Sequence, residues 1–479
     1  MINEPVLLIV IPLFAGFLIP IIYLISKKAI KYIPIIAVFY NLFVLIRLIQ
    51  INSTSLSYFT TGGYKVPFGI NLIFNSQIGI ILFAINLLAL IALIFFLKKE
   101  FHLVNSFAYT LGFIIAISAV NGMVLTGDLF NLFVFMELAA IAGYIIATHK
   151  RGYYPSFLYV IISTFGSLLF LLGTITIYNV SGTLNMASVS ENLVDVSPHF
   201  IVVLSVMFIV ALSSESELLP LNAWVPKVYE KTSITGSIFF GSVLSTAALF
   251  AVIKVLVLVF KGGYEYLFNS LTIIGLATLL IGEFVAFKQR NVRKIVAYSS
   301  IAQAGLIISA VSVSLKNGTI TDSIFNAAMF QLLNNIFAKG LILLGVGLLG
   351  YYSFEKLKGI AGKKKFASIL ITIGVLSIIG MPPFAGFWSK FFLIKSLIAN
   401  KMIIFVAIFL ASAIFEVYYY LRFIQNMYYE EFDSKIKINQ ISAVSYFLMI
   451  SLSFMIIYIG FNPSSVMKTI SDIFTGGII

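Results

Sequence analysis

Runs of about twenty apolar residues recur from one end of this 479-residue chain to the other, beginning at Val6. A helix needs roughly 20 apolar residues to cross a hydrocarbon core roughly 30 Å thick, so each run is long enough to span a bilayer. The runs lack the strict alternation of a membrane β-barrel, and inside lipid only helices and closed barrels satisfy their own backbone groups. The chain therefore reads as an all-α polytopic membrane protein folded as one bundle. Fourteen spans are expected, at about 5–25, 32–50, 76–97, 105–125, 129–148, 156–178, 200–230, 234–258, 268–287, 293–313, 323–350, 366–397, 402–426 and 440–461. The first run has no basic segment before it and no small-residue cleavage site. It reads as a retained helix and not as a signal peptide.

The loops test this count. Those on one side carry Lys27, Lys28, Lys31, Lys98, Lys99, Lys150, Arg151, Lys227, Lys231, Lys288, Arg290, Arg293 and Lys294, and further on Lys356, Lys358, Lys363–Lys365, Arg422, Lys435 and Lys437. The alternate loops and tail carry only Lys65, Lys261, Lys316, Lys401 and Lys468, which makes 21 basic residues against 5. By the positive-inside rule the rich loops are cytoplasmic and both termini lie outside the cell membrane. The net charge of +13 thus marks topology, and no nucleic-acid partner is expected. Cysteine is absent, and the three histidines, His102, His149 and His199, lie beside loops. No disulfide, thiolate-held cluster, haem or other cofactor is expected, no resident metal, and no catalytic site of the chain's own.

Ionisable residues nevertheless stand inside the apolar runs: Glu137, Glu215, Glu217, Lys254, Glu283, Lys339, Lys390 and Glu416. A charge at the bilayer centre costs roughly 2.5–3.5 kcal/mol on insertion scales, so such residues face the protein interior and mark ion or proton pathways. Several along one chain suggest a relay. Two spans longer than the membrane needs also contain proline, at Pro220 and Pro226 and at Pro382 and Pro383. Proline removes a backbone donor and clashes with the preceding turn, so both the seventh and the twelfth span should break near mid-membrane. Five helices separate the breaks, which suggests two five-helix units of inverted topology, and broken helices at matching places in two repeats point to a transport site. The expected division is residues 1–104, an N-terminal segment; 105–262 and 263–428, the two repeats; and 429–479, a last helix and tail.

Individual positions refine this picture. Glu137 falls two turns into its span, and Asp128 before it is placed to cap the helix. Glu215 and Glu217 point about 200° apart on a helix, so they share a pathway only if the helix has unwound. Carboxylates, serines and freed carbonyls at that place are also the oxygen ligands a sodium ion takes, near Glu215. Gln331, Asn335 and Lys339 are four apart and form one polar stripe. Lys390 follows Pro383 by roughly 10 Å of helix, and Glu416 is its expected partner. Lys254 is read as snorkelling outward. Glu283 is read either as pairing with Lys288 or as part of the path.

Five ordered segments carry a resemblance: Gly127–Glu137, Pro220–Pro226 (Pro-Leu-Asn-Ala-Trp-Val-Pro), Arg293–Ile301, Phe330–Lys339 and Pro382–Lys390. Together they resemble the antiporter-like membrane subunits of respiratory complex I and of Mrp-type cation/proton antiporters, among the latter especially the MrpD type. The resemblance implies fourteen helices, inverted repeats, and a role moving protons or sodium within a larger complex. Such a complex is of the Mrp type, or a hydrogenase- or sulfur-reductase-type relative of complex I, with further antiporter-like subunits as partners. Glu137, Lys339 and Lys390 match the family's fifth-, eleventh- and twelfth-helix charges. The departures are Glu215 where a lysine is usual, Thr246 where the eighth helix carries lysine or histidine, Gln331 and Asn335 for histidines, and Lys227 for an acid. A glutamate pair shares a proton or holds a cation, so this copy is expected to be specialised for sodium or altered in its inner half. The rivals are a stand-alone secondary transporter and a non-conducting scaffold that docks neighbours.

Overall fold

The computed structural model describes residues 4–52, 56–60, 64, 69–102, 106–148, 153–193, 196–260, 264–316, 320–429 and 440–471. Lys65, Lys150, Arg151, Lys261, Lys435, Lys437 and His149 lie outside these, as does the side chain of His199. The first half contains α1 (Leu7–Ile25), α2 (Ile33–Ile51), α3 (Ser76–Phe95), α4 (Ser106–Leu125), α5 (Leu129–Ala147), α6 (Tyr153–Ser181), the short α7 (Met186–Asn192), α8 (Pro198–Ser213), α9 (Val225–Lys231), α10 (Ile234–Ile238) and α11 (Ser245–Leu258). The second contains α12 (Glu265–Phe287), α13 (Val292–Leu315), α14 (Asp322–Leu349), the short α15 (Phe354–Leu357), α16 (Lys365–Ile379), α17 (Ala385–Ala399), α18 (Ile403–Met427), α19 (Ala443–Phe461) and α20 (Pro463–Ile470). A π-helical stretch, Phe239–Leu244, joins α10 to α11 into one crossing. Twelve helices among the described residues are long and apolar enough to cross a membrane. Among the described residues one small antiparallel hairpin interrupts the helices, which was not expected: β1 (Ser57–Thr60) with β2 (Asn71–Phe74), between α2 and α3.

The two long proline-bearing spans are split, whereas α1 runs unbroken through Pro12 and Pro20. Residues 214–224 separate α8 from α9, and residues 380–384 separate α16 from α17. Pro226 sits in the first turn of α9, where its missing donor is not needed. The carbonyls that the first break frees do not go unused: the Trp224 indole N–H donates to Ser214 O at 2.8 Å across the gap. The Leu219 N–H is bonded to Thr278 Oγ1 of α12 at 3.3 Å. The second break turns at Gly380, whose φ of +89° is left-handed and readily adopted only by glycine. A Cβ there would also crowd the Lys390 Cδ at 3.0 Å.

The core holds α10–α11, α13 and α14, and against α13 packs α12, unusually closely. A Cβ on Gly305 would lie 2.4 Å from Gly275 O, so only the bare backbones allow this approach. One end of α13 is locked by charge. Arg293 donates to the Thr232 carbonyl and to Ser237 Oγ, the latter at 2.6 Å, and lies 4.9 Å from the Tyr352 ring. Glu100 meanwhile accepts the N–H groups of Ile234 and Thr235 at 2.7 and 3.1 Å, an anion on the amides that begin α10. These contacts fix the turn between α9 and α10 and so the position of α9 below the first break.

Candidate functional site

The break in the seventh span decides where two carboxylates go. Glu217 follows the end of α8 in a left-handed conformation, φ +64°, which costs a non-glycine residue about 1–3 kcal/mol. The helix has therefore unwound between Glu215 and Glu217, and the two side chains meet different helices. Glu215 turns to α6, where Ser163 Oγ donates to Oε1 and Tyr159 OH to Oε2 at 3.3 Å. One turn along α6, Ser167 Oγ donates to Glu137. Two carboxylates thus hang on a ladder of α6 hydroxyls.

Glu137 differs from expectation in one respect. It is half-buried, on a face of α5 whose Val134 and Ile141 are 42% and 59% exposed. The sequence placed it in an apolar run but could not say that the run forms a rim of the bundle. Asp128 caps α5 as expected, accepting from the Asn131 N–H at 2.8 Å.

Glu217 turns the other way, and no part of its surface reaches solvent. Its Oε1 accepts from Tyr229 OH of α9 at 2.7 Å, and Oε2 has no protein partner. Tyr229 OH lies 3.4 Å from Ser300 Oγ of α13, to which the Lys339 ammonium of α14 donates at 2.8 Å. Glu217, Tyr229, Ser300 and Lys339 form one buried group.

A second group lies around the second break. The Lys390 ammonium makes a salt bridge with Glu416 Oε2 of α18 and donates to Ile379 O at 3.3 Å, a carbonyl left free at the end of α16. A cation at a helix C-terminus is favoured there by the helix dipole. Glu416 Oε1 accepts from Gln303 Nε2 at 2.7 Å, and Gln303 Oε1 accepts from Gln331 Nε2 at 2.6 Å. Ser389 Oγ closes the set on Gln331 Oε1. The expected pairing of Lys390 with Glu416 is present. Gln303 is the residue missed: a search confined to charge passes over an amide, although an uncharged polar group inside an apolar helix also demands a partner.

The polar stripe of α14 joins the two groups. Gln331 belongs to the second and Lys339 to the first, with buried Asn335 one turn from each. Buried polar atoms without a protein partner lie along the same seam: Asn335 Oδ1, Ser299 Oγ, Tyr419 and Tyr420 OH, Glu283 Oε2 and Glu217 Oε2. Buried polar groups are nearly always hydrogen-bonded, to one another or to buried water.

Three lesser positions resolve as follows. Glu283 is buried, and Lys288 instead lies 4.4 Å from the Phe284 ring; five residues apart, the two do not share a helix face. Lys254 does not snorkel. It is fully buried and donates to the carbonyls of Met123, Val124 and Thr126, at 2.9 Å for the first two, where it caps the C-terminal end of α4. Thr246 is buried on α11. Among the described residues no group of three or more His, Cys, Asp or Glu side chains is placed to hold a metal ion.

Residues 126–415 match the family described as NADH:quinone oxidoreductase/Mrp antiporter, transmembrane. A Staphylococcus aureus (strain JH9) protein named as an antiporter subunit, mnhD2, is 27% identical over 421 residues, which cover 86% of this chain and 83% of that one. A chain of the membrane-bound sulfane sulfur reductase, an archaeal respiratory membrane complex, superposes with a TM-score of 0.91 at 30% identity, over 99% of this chain and 98% of its own. A chain of the Mrp complex from Dietzia sp. DQ12-45-1b shares the fold at a TM-score of 0.88 and 19% identity, over 98% and 96% of the two chains. So does a chain of respiratory complex I from Thermus thermophilus, at 0.80 and 19%, over 97% and 99%.

Proposed function

This chain belongs to the NADH:quinone oxidoreductase/Mrp antiporter transmembrane family, and on that premise we propose that it carries protons or sodium ions along its buried polar seam as one subunit of a multi-subunit membrane complex. The observation that carries the proposal is the alignment of two bonded groups on one polar stripe of α14. Glu217, Tyr229, Ser300 and Lys339 form the first and Gln331, Gln303, Glu416 and Lys390 the second, with buried Asn335 between them. In this reading a proton or cation arriving at one end changes the charge partner of Lys339, and the amide chain passes that change to the Lys390–Glu416 pair. Glu283 lies in the same region as a further buried carboxylate. Residues 105–262 and 263–428 act as two inverted units between the segments 1–104 and 429–479, each with one break. The basic-loop asymmetry favours a cell-membrane location with both termini outside.

The other half of the molecule supports a narrower role. Among the described residues Glu137 and Glu215 are bonded by hydroxyl donors and have no lysine in contact. In this reading they share one proton or hold a sodium ion between oxygens. Half-buried Glu137 on an apolar face favours a protein neighbour over lipid at α5 and α6, because a carboxylate facing hydrocarbon is costly. That neighbour is read as another integral membrane subunit of the complex.

Proton and sodium uptake by vesicles holding the assembled complex tests the proposal. Lys390→Ala and Glu416→Gln should each stop ion movement while the complex still assembles. Wild-type flux in both variants, with assembly intact, would leave the chain as a docking scaffold. Transport by this chain purified alone would favour the stand-alone transporter.

A further inference from the structure

Glu283 is the buried carboxylate that the two bonded groups leave over. It stands on α12 within electrostatic reach of Glu416 and Lys390, with Tyr419 of α18 beside it. Tyr419 and its neighbour Tyr420, whose ring centres are 4.6 Å apart, both lie beside Ser299 of α13. None of these four residues is more than 1% exposed. Yet Glu283 Oε2, Tyr419 OH, Tyr420 OH and Ser299 Oγ have no hydrogen-bond partner among the described residues. Three helices thus bring four unpartnered oxygens together inside the bundle.

The cations nearby are engaged elsewhere. Lys390 is bonded to Glu416, Arg422 donates to the carbonyls of Phe287 and Gln289, and Lys288 lies against the Phe284 ring. With Glu283 ionised, two buried carboxylates against one ammonium leave one net negative charge, which is costly to bury without a counter-charge. A proton on Glu283 would cancel that charge and still leave three hydroxyl oxygens without a partner. A cation bound among them meets the charge and the lone pairs together. All four atoms are hard oxygen ligands, and one surplus charge matches a monovalent ion and not a divalent one.

We propose that Glu283, Tyr419, Tyr420 and Ser299 bind one monovalent alkali cation, next to the Lys390–Glu416 pair and apart from the α6 hydroxyls that hold Glu137 and Glu215. Glu283 is the charged ligand, and the three hydroxyls are the neutral ones. Binding stands on these four residues alone. Its effect on ion flux rests on the relay reading above, because a filled site removes the negative charge that competes with Glu416 for Lys390.

Heating the solubilised, assembled complex while sodium or potassium chloride replaces choline chloride at constant ionic strength tests the site. An ion that binds only the folded state raises the unfolding temperature with its concentration. The wild type should show a saturating rise with at least one of the two salts, and Glu283→Gln should lose it. Cations bound by other subunits add the same rise to every variant, so the difference between variants reads this site. Tyr419→Phe and Tyr420→Phe each remove one hydroxyl and should raise the half-saturating concentration at least about ten-fold, the worth of one such bond. Should Glu283→Gln fail to assemble, the two tyrosine variants carry the same test. No rise with either salt, or an equal rise in wild type and Glu283→Gln, overturns the site. Tyrosine variants that both titrate like the wild type overturn it as well. If Lys390→Ala and Glu416→Gln leave flux normal while the Glu283-dependent rise holds, the relay fails and the cation site stands.

Discussion

Glu215 and Glu217 stand two residues apart and serve opposite halves of the molecule: the first is held by Ser163 and Tyr159 of α6, the second by Tyr229 of α9 and, through Ser300, by Lys339 of α14. A regular helix would also have separated them, but the left-handed turn at Glu217 commits its carboxylate to the α13–α14 side. Glu217 and Lys339 are thus joined through the hydroxyls of Tyr229 and Ser300.

The buried pair of Lys390 and Glu416 should respond asymmetrically to mutation. Removing one partner leaves the other charge buried and unpaired, at a cost of about 3–5 kcal/mol, whereas replacing both with apolar residues is often neutral. Thermal unfolding of the complex should therefore show a large loss for Lys390→Ala and near recovery for Lys390→Met with Glu416→Leu. Neither should restore ion flux. A double variant that pumps would mean that the pair is structural only.

Gln303 should matter in proportion to its two hydrogen bonds. Gln303→Leu strands Glu416 Oε1 and Gln331 Nε2, each worth about 1–3 kcal/mol when left unsatisfied. Flux should fall at least about ten-fold, the equivalent of one such bond. Gln303→Glu, which keeps an acceptor but not the donor to Glu416, should do no better. Flux retained in the leucine variant would take Gln303 off the path.

Lys254 should prove to be a fastener. Lys254→Met removes the ammonium from three carbonyls at the end of α4 and should lower stability by about 1–3 kcal/mol, read as a drop in unfolding temperature. Flux per assembled complex should hold. A selective loss of flux at unchanged stability would put this lysine on the path.

Tyr229 separates direct transfer from mere packing. Tyr229→Phe keeps the ring and removes the only protein donor seen on Glu217. If the hydroxyl passes protons, proton movement should slow while assembly and unfolding temperature change little. Equal rates for tyrosine and phenylalanine would assign the transfer to water alone.

Much of this architecture could be read from the residues, because hydrocarbon length and proline chemistry act locally. The spans, both breaks and the Lys390–Glu416 pairing follow from apolar runs, from Pro220, Pro226, Pro382 and Pro383, and from two isolated charges of opposite sign. What escaped was set by long-range packing. The facing of Glu217 depends on an unwound turn that no helical period describes. Lys254 finds carbonyls 128 to 131 residues away, so nothing near it in the chain announces a partner. Glu137 sits on a rim because α5 packs at the edge of the bundle, which an apolar run alone does not specify.

The bond from the Trp224 indole to Ser214 O gives the first break a mechanical character. A strut that ties the end of α8 to the start of α9 makes a fixed elbow and not a swivel. Such an elbow transmits a push from either half without absorbing it, and the carboxylates on either side of it keep their bearings while the complex works.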